Sequence, residues 1–237
     1  MAHARPQQAE SVALDLRVPA AQALLLRWLP NFDVLIENFR PGTLDRYNLP
    51  VERLRAVNPK LVILRMTAFG QTGPYRSRQG FGTLAETMSG AASVLVKGMR
   101  GFSSDRPALT SFPLADVTAG IAGANGVLAA LLHAARTGVG ETIDLAIYEA
   151  MLKFMELEIL NHGENPAQDS DARRPDAAPR GVFHCGDGRW IALSGSTQPV
   201  AERILTLIGG EALAKDPRFL TNEGRVANCR CARRPHR

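Results

Sequence analysis

The chain has 237 residues, a formal net charge of +5, and ordinary shares of apolar (45%) and charged (22%) residues. This length can bury a substantial core, and the composition excludes collagen-like, coiled-coil and low-complexity proteins. Four arginines lie in the last nine residues, CRCARRPHR, and without them 24 basic residues stand against 23 acidic ones. The charge is therefore local, and we expect no nucleic-acid partner.

The same nine residues hold two of the three cysteines, which leaves Cys185 alone in the rest of the chain. A single cysteine cannot form an internal disulfide, which favours a reducing compartment. Residues 1–10 lack the apolar segment of a signal peptide, and the apolar stretch at 127–132 is far shorter than the ~20 residues of a membrane span. We expect a cytoplasmic protein with no membrane partner, a disordered start over 1–10 and an atypical basic tail over 229–237.

The first half of the chain alternates short apolar runs with helical patterns. Runs at 11–16 (SVALDL), 33–38 (DVLIEN) and 61–67 (LVILRMT) predict strands, separated by a helix after Pro19 and another over 51–57. Nearly continuous apolar strands that alternate with helices are typical of a parallel sheet covered on both faces. The predicted fold class of this part is α/β.

A buried helix is predicted over 83–96, followed by an exposed polar loop over 97–110. Asp116 opens the longest helix, in which Val117, Ile121 and Leu128 share a face, and Gly138 and Gly140 end it. A strand over 142–147 and a helix over 148–160 follow.

The chain beyond residue 164 changes character. Residues 165–180 are rich in Pro, Asp, Arg and Ala without an apolar period, which predicts a linker. Residues 181–194 alternate as a hairpin around a Gly-Asp-Gly turn, and residues 200–208 are helical. We therefore expect a large domain over 11–164, the linker over 165–180, and the start of a smaller α+β domain over 181–228.

Common catalytic motifs are missing from the sequence. The five histidines have no partners at metal-ligand spacing, so we expect no metal site. No phosphate-binding Walker loop and no G-x-S-x-G motif is present. The FGQTGP segment at 69–74 and the ENFR segment at 37–40 instead follow strands, and ligands gather at the carboxyl ends of strands in parallel α/β folds.

Asp116, in PLADVTAG, is the candidate for covalent chemistry. The ordinary structural role of Asp at a helix start is an N-cap that accepts backbone hydrogen bonds. The helix macrodipole also stabilises a carboxylate anion there, by ~0.3–1 kcal/mol. Because a nucleophilic Asp must be ionised, the two roles are compatible.

The sequence resembles the class III CoA-transferase family, also called the CaiB/BaiF family of acyl-CoA transferases and racemases. The resemblance rests on four segments in this order: ENFRPGTLDR, NPKLVILRMTAFGQTGP, LADVTAG and GETIDL. The resemblance runs from about Ser11 to about Asn228. It implies a Rossmann-like CoA-binding domain, a homodimer, and acyl-CoA and a carboxylic acid as substrates. It also implies that the Asp116 carboxylate attacks an acyl-CoA thioester to give a mixed anhydride, after which the acceptor acid takes the place of the acyl group on CoA.

The family's CoA contacts carry over to positions of this sequence that match its motifs. Arg17, Arg40 and Arg46 are expected to serve the phosphates, and Arg78 and Phe81 are expected to lie near the pantetheine. The positions are Leu14, Arg17, Asn38, Phe39, Arg40, Arg46, Arg78 and Phe81.

Two departures from the family bear on the activity. Racemases of the family have a His where this chain has Phe81, and Phe cannot act as a base, so a transferase is favoured over a racemase. The glycine-rich flap of the oxalate-using members is missing from 169–180, so oxalate specificity has no support.

A third departure concerns the ends of the chain. Family members extend beyond both ends, and the likeness fades at Cys229. We therefore expect the chain to be truncated at both ends, and three alternatives stay open: a CoA-transferase, a racemase of the same family, and a non-catalytic CoA-binding remnant.

Overall fold

The computed structural model describes residues 11–98, 108–157, 159–160 and 177–228. The chain separates into two compact units, Met1–Pro166 and Ala167–Arg237. The expected disordered start over 1–10, most of the expected linker and the basic tail lie outside the described residues. The domain limits stay predictions.

The first unit contains a parallel sheet with the strand order β1-β2-β3. The strands are β1 Val34–Glu37, β2 Val62–Thr67 and β3 Thr142–Ala146. Val34 pairs with Val62 and Ile63 pairs with Thr142, so β2 lies in the middle. The predicted α/β class with a parallel sheet is confirmed. Its three strands lie within the runs predicted at 33–38, 61–67 and 142–147.

In this unit, helices form where helical patterns were predicted. The helices are α1 Pro19–Trp28, a 3-10 turn at Leu29–Asn31, α2 Thr43–Arg46, α3 Val51–Val57, α4 Gly82–Met88, α5 Ala91–Gly98, α6 Leu114–Thr137 and α7 Ile147–Phe154. However, α6 begins at Leu114, before Asp116, and α7 ends at Phe154, before the predicted end at residue 160.

Helices cover both faces of the sheet. On one face, Ile63 of β2 packs with Leu29 and Leu54 from the α1–α3 region. On the other face, Val62 packs with Ala130 and Ala134 of α6. Since neighbouring residues of a strand point to opposite faces, the continuous apolar run of β2 is explained by burial on both sides.

Small residues allow α6 to lie close to the sheet. A Cβ at Gly123 would lie 3.0 Å from a methyl of Leu64 and 3.2 Å from a methyl of Leu145. The larger apolar residues Val117 and Ile121 lie away from the sheet, 50% and 61% exposed. The face of α6 that packs on the sheet is therefore its small-residue face, and its bulkier face has no cover within the described chain.

Two local predictions are wrong. Residues 11–16 form no strand, because the Asp15 carboxylate accepts hydrogen bonds from the backbone and guanidinium of Arg17 and turns the chain towards α1. The helix predicted over 83–96 is two helices, α4 and α5, because Gly90 has a φ of +85° and breaks the run. Residues 97 and 98 of the loop expected over 97–110 belong to α5, and residues 99–107 lie outside the described chain.

The second unit contains the predicted hairpin and helix. Strands β4 Arg180–His184 and β5 Trp190–Ser194 pair antiparallel. Helix α8, Gln198–Ala214, has a kink at Gly210, and α9 is Asn222–Asn228. Arg225 of α9 is 3% exposed and donates hydrogen bonds to the carbonyl oxygens of Ala178 and Phe219.

Candidate active site

Asp116 lies in the first turn of α6, with its side chain exposed. It is the third residue of the helix and not the N-cap, so the predicted capping role is wrong. The helix begins earlier, at Leu114, after Pro113, and no side chain of its own caps it. Within the described residues no group hydrogen-bonds to the Asp116 carboxylate.

Gly82, the first residue of α4, lies directly against the Asp116 carboxylate. A Cβ built on Gly82 would lie 2.6 Å from Oδ1 and 3.0 Å from Oδ2 of Asp116. Real Cβ atoms do not approach other atoms this closely, so no residue larger than glycine fits here while Asp116 keeps this position. Gly82 thus leaves the space that the Asp116 carboxylate occupies beside α4.

A cavity of about 100 Å³ lies at the carboxyl ends of β1 and β2. Its walls come from the segment after β1 and from residues 76–81, just before α4. The lining includes Asn38, Phe39, Arg40, Arg76, Arg78 and Phe81. Since ligand pockets usually measure ~300–1,000 Å³, this space suits a part of a CoA molecule and not the whole.

The cavity is basic. Arg40, Arg76 and Arg78 line it together with no Asp or Glu. In the part of the chain that the structure describes, none of the three arginines forms an ion pair, although Arg78 lies over the ring of Tyr75 at 4.0 Å. Unpaired guanidinium groups around one cavity favour an anion such as a phosphate.

A buried ion pair supports the segment after β1. Glu37, 5% exposed, accepts a hydrogen bond from Arg65 Nε on one carboxylate oxygen, at 2.7 Å. Its other oxygen accepts the backbone N–H of Phe39, also at 2.7 Å. Glu37 and Arg65 face each other in the β1–β2 register. The pair therefore fixes the turn that presents Asn38, Phe39 and Arg40.

The loop after β2 is held from β3. Gly70 has a φ of +83°, and the next backbone N–H, of Gln71, points to both carboxylate oxygens of Asp144 at 3.0 and 2.9 Å. A Cβ at Gly80 would lie 2.5 Å from the Ala68 side chain, so residues 76–81 pack tightly on the end of β2. These contacts bring the cavity wall and Gly82 to the same edge of the sheet.

The structure brings five of the eight residues predicted to bind CoA to this cavity: Asn38, Phe39, Arg40, Arg78 and Phe81. The other three do not line it.

The three residues outside the cavity have other surroundings. Leu14 is half-buried in the irregular segment before α1. Arg17 pairs with Asp15 at 2.8 Å, and the hydrogen bonds from Arg17 lower the pKa of the Asp15 carboxyl. Arg46 donates to the Thr43 hydroxyl at 2.8 Å. Their predicted CoA contacts stay predictions, as does the catalytic role of Asp116.

Sequence reasoning missed Arg76, Gly82, Glu37 and its partner Arg65. A signal existed for the last two, because each is the one charged residue inside an otherwise apolar strand and their charges are opposite. The roles of Gly82 and Arg76 depend on contacts between segments that are distant in the sequence, so no local pattern predicts them. Among the described residues, no group of His, Cys, Asp and Glu is arranged to hold a metal ion.

Comparison with known proteins shows the family of the chain. The model of CoA-transferase family III matches residues 4–234. The succinyl-CoA–D-citramalate CoA-transferase of Chloroflexus aurantiacus is 36% identical over 218 residues, which are 91% of this chain and 53% of that protein. The succinate–glutarate CoA-transferase of Agrobacterium fabrum is 34% identical over 229 residues, 95% of this chain and 56% of that protein.

Solved structures show the same likeness. Rv3272 from Mycobacterium tuberculosis superposes with a TM-score of 0.79 at 30% identity, over 94% of this chain and 58% of that one. A CaiB/BaiF family protein from Brucella suis gives a TM-score of 0.70 at 32% identity, over 92% of this chain and 57% of that one. The chain spans about half the length of the curated relatives that it matches. These matches confirm the resemblance found in the sequence: the chain belongs to CoA-transferase family III.

Proposed function

We propose that the chain acts in a CoA-transferase that moves CoA from succinyl-CoA to a dicarboxylic acid. The names of its relatives support this substrate class, since they pair succinyl-CoA with D-citramalate or L-malate, and succinate with glutarate. A relative named for acetyl-CoA and oxalate is 33% identical. The missing glycine-rich flap favours the larger dicarboxylic acids over oxalate.

The observation that carries the proposal is the Asp116 carboxylate, which is exposed in the first turn of α6, lies beside Gly82 and has no hydrogen-bond partner among the described residues. An Asp116 oxygen attacks the thioester carbonyl, and the C–S bond breaks to give a mixed anhydride and CoA thiolate. The thiolate then attacks the Asp116 carbonyl, which releases the acyl group as a carboxylate and leaves CoA on Asp116 as a thioester. The acceptor carboxylate runs the two steps in reverse and leaves as its CoA thioester. The covalent relay divides one difficult exchange into easier steps.

The arginine-lined cavity supports the binding half of the proposal. Arg40, Arg76 and Arg78 suit the phosphates of CoA, and Phe81 links this cavity to Gly82 and so to Asp116. Phe81 is 77% exposed, so its ring is available to the acyl-pantetheine chain. A phenyl ring in this place cannot move an α-proton, which disfavours a racemase.

A transfer assay with purified protein tests the proposal. Succinyl-CoA is incubated with D-citramalate, L-malate or glutarate, and the CoA thioesters are separated by chromatography. We expect a new thioester with at least one acceptor, and none with Asp116→Asn, which keeps the shape but loses the nucleophilic anion. CoA binding without transfer in the unsubstituted protein contradicts the proposal and favours a CoA-binding remnant. Loss of the α-hydrogen of 2-methylacyl-CoA without an acceptor favours a racemase.

We also propose that the complete protein is a cytoplasmic homodimer, as the family resemblance implies. The uncovered face of α6 supports a partner, because Val117, Ile121, Leu128 and Leu132 are each 50% or more exposed. Helix α6 also has the length and hydropathy of a membrane span. Sedimentation analysis, together with a lipid-vesicle binding assay, distinguishes a dimer interface from a membrane-binding helix. A dimer that becomes monomeric in the Leu128→Glu variant supports the proposed assembly, whereas a monomer that binds lipid vesicles contradicts it.

A further inference from the structure

Glu86 of α4 is a buried carboxyl group that the proposed reaction does not use. It is 4% exposed, and within the described residues no lysine or arginine pairs with it. A buried carboxyl group needs hydrogen-bond donors or a charged partner, because burial of an unpaired polar group is costly. The groups that lie around its two oxygens indicate its role.

Among the described residues, the groups that lie within hydrogen-bond distance of the Glu86 carboxylate belong to the entrance of α6. The backbone N–H of Ala115 donates to Glu86 Oε1 at 3.4 Å. The hydroxyl of Thr110 lies 3.1 Å from Glu86 Oε2 and 2.5 Å from the carbonyl oxygen of Phe112, and its single proton serves one of these two acceptors at a time. Glu86 therefore contacts the segment that leads into α6 and accepts a hydrogen bond from the second residue of the helix.

This contact replaces a missing cap. The first N–H groups of a helix have no partner inside it, and the residue before α6 is Pro113, whose side chain can accept nothing. Glu86 supplies the acceptor from a neighbouring helix. Because it follows Gly82 by four residues on α4, the two residues share the face that meets α6.

We propose that Glu86 is a positioning residue for Asp116. Gly82 leaves space for the Asp116 carboxylate, and Glu86 accepts the backbone N–H of Ala115, the residue immediately before Asp116. This inference rests on the proposed function, in which Asp116 is the nucleophile. Glu86 itself touches no substrate.

Three variants test it. Glu86→Leu removes both acceptor oxygens. Glu86→Gln keeps an acceptor for Ala115 and a polar partner for Thr110. Ser89→Ala is the control, because it removes a buried hydroxyl that bonds to the carbonyl oxygen of Glu86 and not to α6. Thermal unfolding shows that each variant is folded, hydrogen exchange reports the peptide covering 114–118, and the assay gives kcat and the KM for succinyl-CoA.

We expect Glu86→Leu to speed hydrogen exchange at 114–118 and to lower kcat by about 100-fold, as small misplacements of reacting groups do, with KM nearly unchanged. Glu86→Gln should restore both properties, and Ser89→Ala should change neither. An unchanged kcat or exchange rate in Glu86→Leu, or an equal loss of kcat in Glu86→Gln, overturns the inference. If the unsubstituted protein shows no transfer, the proposed function fails, while the exchange experiment still decides whether Glu86 holds the start of α6.

Discussion

The contact between Gly82 and Asp116 gives the sharpest prediction about the active site. Gly82→Ala places a methyl group 2.6 Å from Asp116 Oδ1. Carbon and oxygen atoms rest at about 3.4 Å or more, so the carboxylate must move by about 0.8 Å. Asp116 is exposed and can move without disrupting the core. We therefore expect Gly82→Ala to lower the rate of CoA transfer and to leave the free energy of unfolding nearly unchanged.

The expected result is a fall in kcat for CoA transfer of about 100-fold, since a displacement near 1 Å has an effect of this size. The free energy of unfolding should change by less than about 1 kcal/mol, because alanine is the better helix former and offsets part of the crowding. Chromatography of the CoA thioesters gives kcat, and urea unfolding followed by circular dichroism gives the stability.

Gly126→Ala is the matched control. It adds the same methyl group to a helix glycine, but its Cβ would lie 3.5 Å from Ile143, an ordinary contact. It should leave kcat unchanged. Full activity of Gly82→Ala, together with an inactive Asp116→Asn, would show that the placement of the carboxylate on Gly82 has no part in the reaction.

Other substitutions test the supports of the fold. Glu37→Leu leaves Arg65, whose side chain is 14% exposed, without its ion-pair partner and should lower stability by about 3 kcal/mol in urea unfolding, whereas a loss below about 1 kcal/mol would contradict a structural role for the pair. Arg225→Met leaves buried carbonyl oxygens without donors and should cost about 2 kcal/mol or more; an unchanged midpoint would refute this. The pKa of Asp15 lies below its ordinary value because Arg17 donates to it, so Arg17→Ala should raise this pKa in an NMR titration. Because the two side chains are exposed, stability should barely change as the pH falls through the Asp15 titration.

The strands were predictable because burial on both faces leaves a continuous apolar run. Val62 and Ile63 of β2 pack on opposite sides of the sheet, and the sequence shows both as apolar. The run at 11–16 resembles a strand for the same reason, but there the bonds between Asp15 and Arg17 close a local turn. Apolar patterns do not reveal which local hydrogen bonds compete with a sheet.

The site was predictable where it depends on topology. The carboxyl ends of parallel strands meet at one edge, so Asn38, Phe39 and Arg40 were expected to gather with the residues after β2. The contacts of Gly82 and Glu86 with α6 join residues that are about thirty positions apart, and no spacing rule predicts them. Asp116 could be singled out as a carboxylate at a helix start, but its place as third residue depends on where Pro113 starts the helix.

Direct detection of CoA on Asp116 tests the central claim. The purified protein is incubated with succinyl-CoA, quenched in acid, digested and analysed by mass spectrometry, with Asp116→Asn treated in parallel. We predict a peptide that contains Asp116 and carries CoA through a thioester, converted to the hydroxamate by hydroxylamine and missing from the variant. Transfer that proceeds with an unmodified Asp116, or an equal adduct in Asp116→Asn, would contradict the assignment of Asp116 as the nucleophile.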